Sequence, residues 1–229
     1  MRRCLCRILA PGVAVFTALL SFGQDLHLRI AYPGKVAAMP PAVVWLKPLQ
    51  PLDPAVAEAH KPYTLLQKNR SFIPHVLVVP VGSNVNFPNE DPFYHNVFSL
   101  FDGKRFDLGL YEAGSTKTVT FSREGVSYIF CNIHPEMSAV VVALATPFFA
   151  TADKSGSAEL HDVPAGDYEL HVWAEGVPQP VLNRLTRKVH IADRQGDLGV
   201  VTIPVTPVRA GSHLNKFGQP YDQPSNSPY

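Results

Sequence analysis

Residues 125–137 read Gly-Val-Ser-Tyr-Ile-Phe-Cys-Asn-Ile-His-Pro-Glu-Met, a run of β-forming residues that ends in a short polar loop. The apolar, β-branched and aromatic residues at 126–130 predict a strand. The seven residues that follow carry a thiol at Cys131, an imidazole at His134 and a thioether at Met137. A strand and a tight loop therefore present three soft or borderline metal ligands within seven residues.

A second imidazole is available upstream at His95. Two histidines, one cysteine and a weakly bound methionine are the ligand set of mononuclear type 1, or blue, copper sites used for electron transfer. The sequence therefore predicts one copper ion held by His95, Cys131, His134 and Met137, with Met137 as the weak axial ligand. Asn96 directly follows the first histidine and is expected to make hydrogen bonds that stiffen the ligand loop. A dinuclear copper centre would need a second cysteine in the loop, and residues 131–137 contain only one, so the predicted site is mononuclear.

Short segments rich in Val, Ile, Phe, Tyr and Thr continue on both sides of this loop, each bounded by Gly, Pro, Asn or Asp. Turn signals at this spacing are typical of an all-β sandwich. Helix signals are weak, and the best of them, residues 54–60, is too short to be stable without packing. The strands predicted around the ligands are 76–79, 85–87, 96–98, 118–121, 126–130 and 139–144.

Four motifs lie between residues 62 and 145. They are Phe72-x-Pro74, Gly82-x-x-Val85-x-Phe87-x-Asn89, His95-Asn96-Val97 and Gly125-x-x-Tyr128-x-x-Cys131-x-x-His134-x-x-Met137. Together they resemble a complete cupredoxin domain, the Greek-key β-sandwich of plastocyanin and amicyanin. The short spacing from Cys131 to Met137 is similar to that of amicyanin. The resemblance implies one-electron transfer by a bound copper and a redox partner protein.

The rest of the chain carries a second signature, Ala152-Asp153-Lys154-Ser155-Gly156, followed at 163–172 by Val-Pro-Ala-Gly-Asp-Tyr-Glu-Leu-His-Val. It resembles the carboxypeptidase regulatory-like, or transthyretin-like, β-sandwich. In that family a Gly-containing turn and a strand of small residues and Val come first, and the matching residues here lie far upstream, at Gly34 and 42–46. We therefore hypothesise that a cupredoxin domain at 59–146 is inserted into a discontinuous sandwich of 24–58 and 147–206. The alternative is two domains in tandem, with 24–58 extending the cupredoxin.

The first residues, Met1-Arg2-Arg3, precede an apolar run at 8–22 that is too short to span a bilayer. This pattern predicts a secretory signal peptide at 1–23 and hence a periplasmic or secreted protein with no membrane span in the mature chain. A retained membrane anchor is the competing interpretation. Cleavage would remove Cys4 and Cys6 and leave Cys131 as the only thiol, which an oxidising compartment tolerates if the thiol is buried or ligated.

With 229 residues and a hydrophobic content of 46%, the chain is long enough for one or two cores. Loss of the three arginines at positions 2, 3 and 7 reduces the 20 basic residues to 17, against 19 acidic residues. This balance, without any basic run, argues against nucleic acid as a partner. Residues 207–229 contain four prolines among Gly, Ser, Asn and Gln and are predicted to form a poorly ordered tail.

The sequence contains no nucleophile elbow, phosphate loop or zinc-protease motif, so an enzyme is not predicted. The leading hypothesis is an exported electron carrier in which Phe93, Tyr94 and Pro135 form an apolar patch for a redox partner, beside the edge of His134. The alternative is a module that carries copper to an acceptor protein, or uses copper for stability, and binds its target through the second sandwich. His75 is interpreted as a structural histidine.

Overall fold

The computed structural model describes residues 23–34, 38–51, 62–100, 103–205, 207 and 213–221. The predicted signal peptide, apart from Gly23, and the weak helix at 54–60 lie outside these residues. Within the described ranges, no helix has the length and apolar character needed to cross a membrane.

The described chain forms seventeen strands and one short helix, so the prediction of an all-β fold is confirmed. The helix α1, Gln179–Leu185, is followed in the described chain by only two strands. In chain order the strands are β1 Gln24–Ala31, β2 Ala42–Pro48, β3 Tyr63–Thr64, β4 Leu66–Lys68, β5 Ser71–Ile73, β6 Val76–Pro80, β7 Ser83–Pro88, β8 His95–Ser99, β9 Phe106–Tyr111, β10 Thr116–Phe121, β11 Gly125–Cys131, β12 Ser138–Leu144, β13 Phe149–Thr151, β14 Ser157–Val163, β15 Gly166–Ala174, β16 Arg187–Ile191 and β17 Asp197–Thr202.

Strands β3 to β12 form a unit that we call the central sandwich. One of its sheets has the order β10-β7-β3 and the other the order β6-β12-β11-β8-β9, while β4 and β5 form a two-stranded ribbon. Side chains from both sheets, among them Phe87, Val97 and Ile129, fill a common core. The alternation of buried and exposed residues along β7 and β10 is what a sheet with one face in a core requires.

Strands β1, β2 and β13 to β17 form a second unit, which we call the outer sandwich. Its sheets have the orders β14-β1-β17 and β13-β2-β15-β16. Strand β2 pairs with β15 along its full length and with β13 on its other side. Strand β1 alternates strictly, with Leu26, Leu28 and Ile30 pointing into the core. Two segments far apart in the chain therefore share both sheets of one unit.

Strand β12 is buried on both faces, and the reason is that it lies between two cores. Ala139, Val141 and Ala143 belong to the core of the central sandwich. Val140, Val142 and Leu144 belong to the core of the outer sandwich. This accounts for the uninterrupted apolar run of the strand. A strand in a sheet with one solvent-exposed face would instead alternate between apolar and polar residues. The strand that follows the candidate ligand loop is thus packed against both units.

All six strands predicted around the ligands are present, with bounds that differ by a few residues at most. Strand β9 was not predicted, because Gly109 interrupts its run of strand-forming residues. The helix α1 was also missed. It has only seven residues and begins next to Pro178, with its burial limited to Val181 and Leu182. Packing of those two side chains, rather than helix propensity, holds so short a segment.

Candidate metal centre

The candidate ligands come from two adjacent strands and the loop that follows one of them. Cys131 is the last residue of β11, and its backbone pairs with Val97 of β8. His95 is the first residue of β8, so this pairing brings its ring beside the cysteine. The backbone N–H of Asn132 donates to the carbonyl oxygen of Asn96 at 2.9 Å and extends the contact by one residue.

Residues 131–137, which we call the metal loop, are closed by their own backbone. The N–H of Met137 donates to the carbonyl of His134 at 3.0 Å, and the N–H of Cys131 donates to the carbonyl of Met137 at 3.2 Å. These two backbone hydrogen bonds make a tight turn that holds the ring of His134 beside the sulfur of Cys131. The short spacing of the motif therefore places two candidate ligands at one point.

Three donor atoms converge at this point. The Sγ of Cys131 lies 3.6 Å from the Nδ1 of His95 and 3.6 Å from the Nδ1 of His134. The two Nδ1 atoms are 3.1 Å apart. All three side chains are buried, with His134 the most exposed at 9%. One sulfur and two imidazole nitrogens so close together, away from solvent, form a donor set that fits a borderline or soft metal ion.

Asp91 determines which nitrogen His95 presents to the site. Its carboxylate oxygen Oδ2 accepts a hydrogen bond from the Nε2 of His95 at 2.9 Å, and both side chains are buried. Because Nε2 carries the proton in this bond, Nδ1 is left with a free lone pair directed at Cys131. The polar loop before β8 thus supplies an orienting group for a candidate ligand.

The carboxylate of Asp91 is itself held in place. Oδ1 accepts the backbone N–H of Asn69 at 2.6 Å, and Oδ2 accepts that of Arg70 at 3.0 Å. Burial alone would raise the pKa of Asp91, but these backbone donors and the ring of His95 lower it below the ordinary value. Asp91 therefore remains ionised at neutral pH and keeps its role as an acceptor.

The protonation of the metal-free site follows from burial. Desolvation lowers the pKa of His95, and it lowers the pKa of His134 together with the repulsion from His95. Desolvation raises the pKa of the Cys131 thiol, against the opposing effect of backbone N–H groups from Asn96, Ile133 and His134. Both imidazoles are thus neutral, while loss of the thiol proton needs a cation nearby.

The fourth predicted ligand, Met137, is fully buried in the same core cluster as Cys131. Asn96 is also buried, and its side-chain Nδ2 donates to Oδ1 of Asp107 at 2.6 Å. Its backbone contacts both Asn132 and the thiol of Cys131. The structure therefore brings three predicted ligands together, and Asn96 and Met137 contact them through backbone hydrogen bonds.

The predicted docking residues differ in their surroundings. The half-buried ring of Phe93 lies 5.3 Å from the ring of His95 and 5.4 Å from that of His134, measured between centroids. Tyr94 is 57% exposed and Pro135 is exposed. Phe93 therefore covers the two imidazoles, while the other two side chains reach solvent.

Two sets of contacts at the site were not predicted. The only sequence signal for the role of Asp91 is weak: it is a carboxylate in a polar loop, four residues before His95. Residues 213–221, within the segment predicted as a tail, lie against the metal loop. Their composition gives no sign of this, because the contacts join positions 84 and 90 residues apart in the chain.

His75 makes structural hydrogen bonds, as interpreted from the sequence. Its Nδ1 lies 3.1 Å from the carbonyl oxygen of Ser138, and its Nε2 lies 2.8 Å from Oε1 of Glu175. Glu175 follows β15, so His75 links the central sandwich to the outer sandwich.

No known protein family matches the chain by sequence, and no curated protein matches it. Among solved structures, similarity extends to the copper-containing nitrite reductase of Thermus scotoductus SA-01, with 29% identity and a TM-score of 0.37. A purple cupredoxin from Nitrosopumilus maritimus has 24% identity and a TM-score of 0.33, and a reduced amicyanin variant has 20% identity and a TM-score of 0.35.

These similarities cover 42%, 36% and 44% of this chain, in that order. They cover 27% of the nitrite reductase, 99% of the purple cupredoxin and 98% of amicyanin. The chain therefore spans about a quarter of the length of the nitrite reductase. Over less than half of its own length, it is similar to a purple cupredoxin, to amicyanin and to one part of a copper-containing nitrite reductase.

Proposed function

We propose that this protein is an exported carrier of single electrons that binds one copper ion in a type 1 site. The observation that carries the proposal is the convergence of two neutral imidazole nitrogens and one cysteine sulfur within 3.6 Å in a buried site. His95, Cys131 and His134 are the proposed equatorial ligands, and Met137 is the proposed weak axial ligand.

The donor atoms suit copper better than the other common metals. Magnesium and calcium favour oxygen ligands, and none of the three converging atoms is oxygen. Structural zinc sites usually hold four strong tetrahedral ligands, whereas this site offers three and a buried methionine from the same core cluster. Sites with two histidines, one cysteine and a distant methionine are typical of blue copper.

When bound, the copper would supply the chemistry by alternating between its Cu(II) and Cu(I) states. The protein contributes a site that has little freedom to rearrange, because Asp91 holds His95 and two backbone hydrogen bonds close the metal loop. Burial by Phe93 and the core around Met137 excludes water from the donors. Rigid ligands keep the structural change between the two oxidation states small.

Addition of Cu(II) to the purified chain is the direct test. We expect an intense visible absorption from charge transfer between the Cys131 thiolate and copper, and its loss in Cys131→Ser. His95→Ala should also abolish the band. As a matched control, His171→Ala removes a half-buried histidine of the outer sandwich that stacks on Trp45, and should leave the band unchanged. A colourless copper complex of the unaltered chain would exclude a type 1 site.

Copper carriage for delivery is the competing function, and the two differ in how readily the metal leaves. An electron carrier should give a reversible Cu(II)/Cu(I) couple and exchange electrons quickly between molecules. Rapid loss of copper to a moderate chelator, with no reversible couple, would instead favour a copper donor.

We further propose that electrons leave through the edge of His134, with Phe93, Tyr94 and Pro135 as the surface that meets a redox partner. The exposure of Tyr94 and Pro135 next to the 9% exposed imidazole supports this. Tyr94→Asp and Phe93→Asp should slow electron transfer to the physiological partner. Unchanged rates in both variants would rule the patch out.

The nested arrangement of 59–146 within 24–58 and 147–206 is also a proposal. It is supported by the pairing of β2 with β13 and β15, which are both strands of the later segment.

Export of the protein is proposed from the signal-peptide pattern of the first 23 residues. Determination of the N-terminal residue of the protein recovered from the periplasm or medium would test it, with a start close to residue 24 as the expected result.

A further inference from the structure

We infer that residues 213–221, which we call the strap, are a positioning element that fixes the metal loop and hence the ligands it carries. The inference rests on the proposed function, because the ligands it would position are those of the proposed copper site. The contacts of the strap and the alkylation test involve the metal-free protein. The strap is distant from the loop in the chain and was expected to be part of a poorly ordered tail.

The strap contacts the backbone of a candidate ligand directly. The hydroxyl of Tyr221 donates to the carbonyl oxygen of Cys131 at 2.7 Å. A hydrogen bond to this carbonyl restrains the peptide group that joins Cys131 to Asn132.

A second contact restrains the next residue of the loop. The backbone N–H of Lys216 donates to the side-chain oxygen of Asn132 at 2.9 Å. Asn132 in turn donates its own N–H to Asn96 on strand β8. The loop is therefore held between β8 on one side and the strap on the other.

A third contact reaches the surroundings of His95. The ammonium group of Lys216 lies 2.8 Å from Oδ2 of Asp107, whose Oδ1 accepts from the side chain of Asn96 at 2.6 Å. The side chain of Lys216 is 22% exposed, against 48% for Lys47 and 51% for Lys68, the lysines of two Lys–Glu pairs in the described chain. Asp107 thus joins the strap to the residue that follows His95.

Aromatic packing completes the attachment. The ring of His213 stacks on that of Phe130 with centroids 4.1 Å apart and planes inclined by 27°. The same ring meets Tyr221 edge-on at 5.2 Å. Phe130 immediately precedes Cys131, so the strap contacts three successive residues, 130, 131 and 132. A surface segment that met the loop by chance would have no reason to hold each of them.

The strap has its own internal order. The side-chain oxygen of Asn215 accepts the backbone N–H groups of Phe217 and Gln219 at 2.9 and 3.0 Å, and Asn215 donates its N–H to the carbonyl of Gln219 at 2.8 Å. This turn fixes the spacing between Lys216 and Tyr221. Both residues can therefore engage the loop at the same time without a further loss of chain entropy.

The test is the rate at which iodoacetamide alkylates Cys131 in the metal-free full chain under native conditions. Because the thiol is fully buried, alkylation requires local opening of the loop. The combined variant His213→Ala/Lys216→Ala/Tyr221→Phe should react at least about 10-fold faster, and Tyr221→Phe alone about 5-fold faster, since one net hydrogen bond of about 1 kcal/mol is a factor of about 5.

The matched control is Tyr168→Phe/Lys47→Ala. It removes a tyrosine hydroxyl that donates to a backbone carbonyl at 2.8 Å and a lysine that pairs with a carboxylate at 3.1 Å, both in the outer sandwich. This variant should react at the rate of the unaltered chain. Equal rates in the strap variants and the unaltered chain would overturn the inference.

Two further measurements separate failure of the strap from failure of the metal site. Hydrogen exchange at the amides of 130–137 should accelerate in Tyr221→Phe, which keeps the aromatic ring and hence its packing. In the copper-loaded protein the visible band should shift in the same variant. Absence of any copper band in the unaltered chain would refute the proposed function, and the alkylation and exchange rates would still decide the role of the strap.

Discussion

Asp91 is the residue on which the orientation of His95 depends. Its two oxygens accept three hydrogen bonds, from Asn69, Arg70 and His95. An asparagine at this position has one acceptor oxygen and one donor nitrogen, so no orientation of its amide can accept all three. Either His95 or a backbone N–H then faces a donor.

We predict that Asp91→Asn weakens copper binding by roughly 10- to 100-fold, as is typical when the group that orients a metal-binding histidine is removed. Competition against a chelator of known affinity measures the change. The control is Glu90→Gln, the adjacent carboxylate, which pairs with Lys68 at the surface with both side chains about half exposed. Equal affinities in the two variants would contradict the role assigned to Asp91.

At the residue scale, the three converging donors were predictable because their chemistry is unusual in combination and two of them lie three positions apart. Asp91 and Tyr221 were not predictable in the same way. Most aspartates and tyrosines in proteins have no role at a metal site, so their presence in the sequence indicates none. Only the path of the backbone brings these two side chains to His95 and Cys131.

The turn between β13 and β14 shows how one glycine fixes the relation between elements. Gly156 has a φ of +83°, and a Cβ added there would lie 2.4 Å from the carbonyl oxygen of Ile30 on β1. Its own carbonyl accepts the N–H of Ile30 at 2.7 Å. Strands β1 and β14 therefore meet at a point where only glycine fits.

We predict that Gly156→Ala destabilises the protein by at least about 2 kcal/mol more than Gly199→Ala, measured by urea unfolding. Gly199 lies in β17 of the same sandwich with a φ of +75°, and nothing lies within 4 Å of a Cβ built there. The control thus carries the backbone penalty alone, about 1–2 kcal/mol. Similar losses in both variants would mean that the approach of Ile30 is not restrictive.

At the element scale, strands with a regular pattern were predictable and irregular ones were not. The apolar run of β12 marks it as a buried strand, but which core lies on each face is decided by the packing of two sandwiches. Strand β9 escaped prediction because a glycine at φ +65° interrupts its pattern.

Across the part of the molecule that the structure describes, the two sandwiches meet at β12, whose two faces belong to two separate cores. Two pairs of side chains also join them. Glu124 beside β11 pairs with Lys47 of β2 at 3.1 Å, and His75 pairs with Glu175 at 2.8 Å. The hydrogen bond with Glu175 is the main cause that raises the pKa of His75, against the lowering effect of burial. Both ring nitrogens of protonated His75 face acceptors.

A raised folded-state pKa means that the folded protein binds the proton on His75 more tightly than the unfolded chain does. The resulting stability is fully present below the unfolded value of about 6.5 and is lost as the pH rises through the raised folded value. We therefore predict that the free energy of unfolding falls more steeply above about pH 6.5 in the unaltered chain than in His75→Gln.

Urea unfolding across this pH range measures the difference. Glu175→Gln should flatten the same part of the profile, and the double variant should add little to either single one. His190→Gln is the control, because His190 and its partner Asp167 are both more than half exposed. A profile of His75→Gln that runs parallel to that of the unaltered chain would disprove the pairing.

By itself, the sequence determined the all-β character and the grouping of Cys131, His134 and Met137, because strand patterns and loop spacings are local properties. Only the tertiary structure decided that Asp91 orients His95, that β12 lies between two cores, and that residues 213–221 return to hold the metal loop. Each of these contacts joins chain segments whose own composition is ordinary. Their meeting follows from the way the two sandwiches pack, and no local pattern in the chain encodes it.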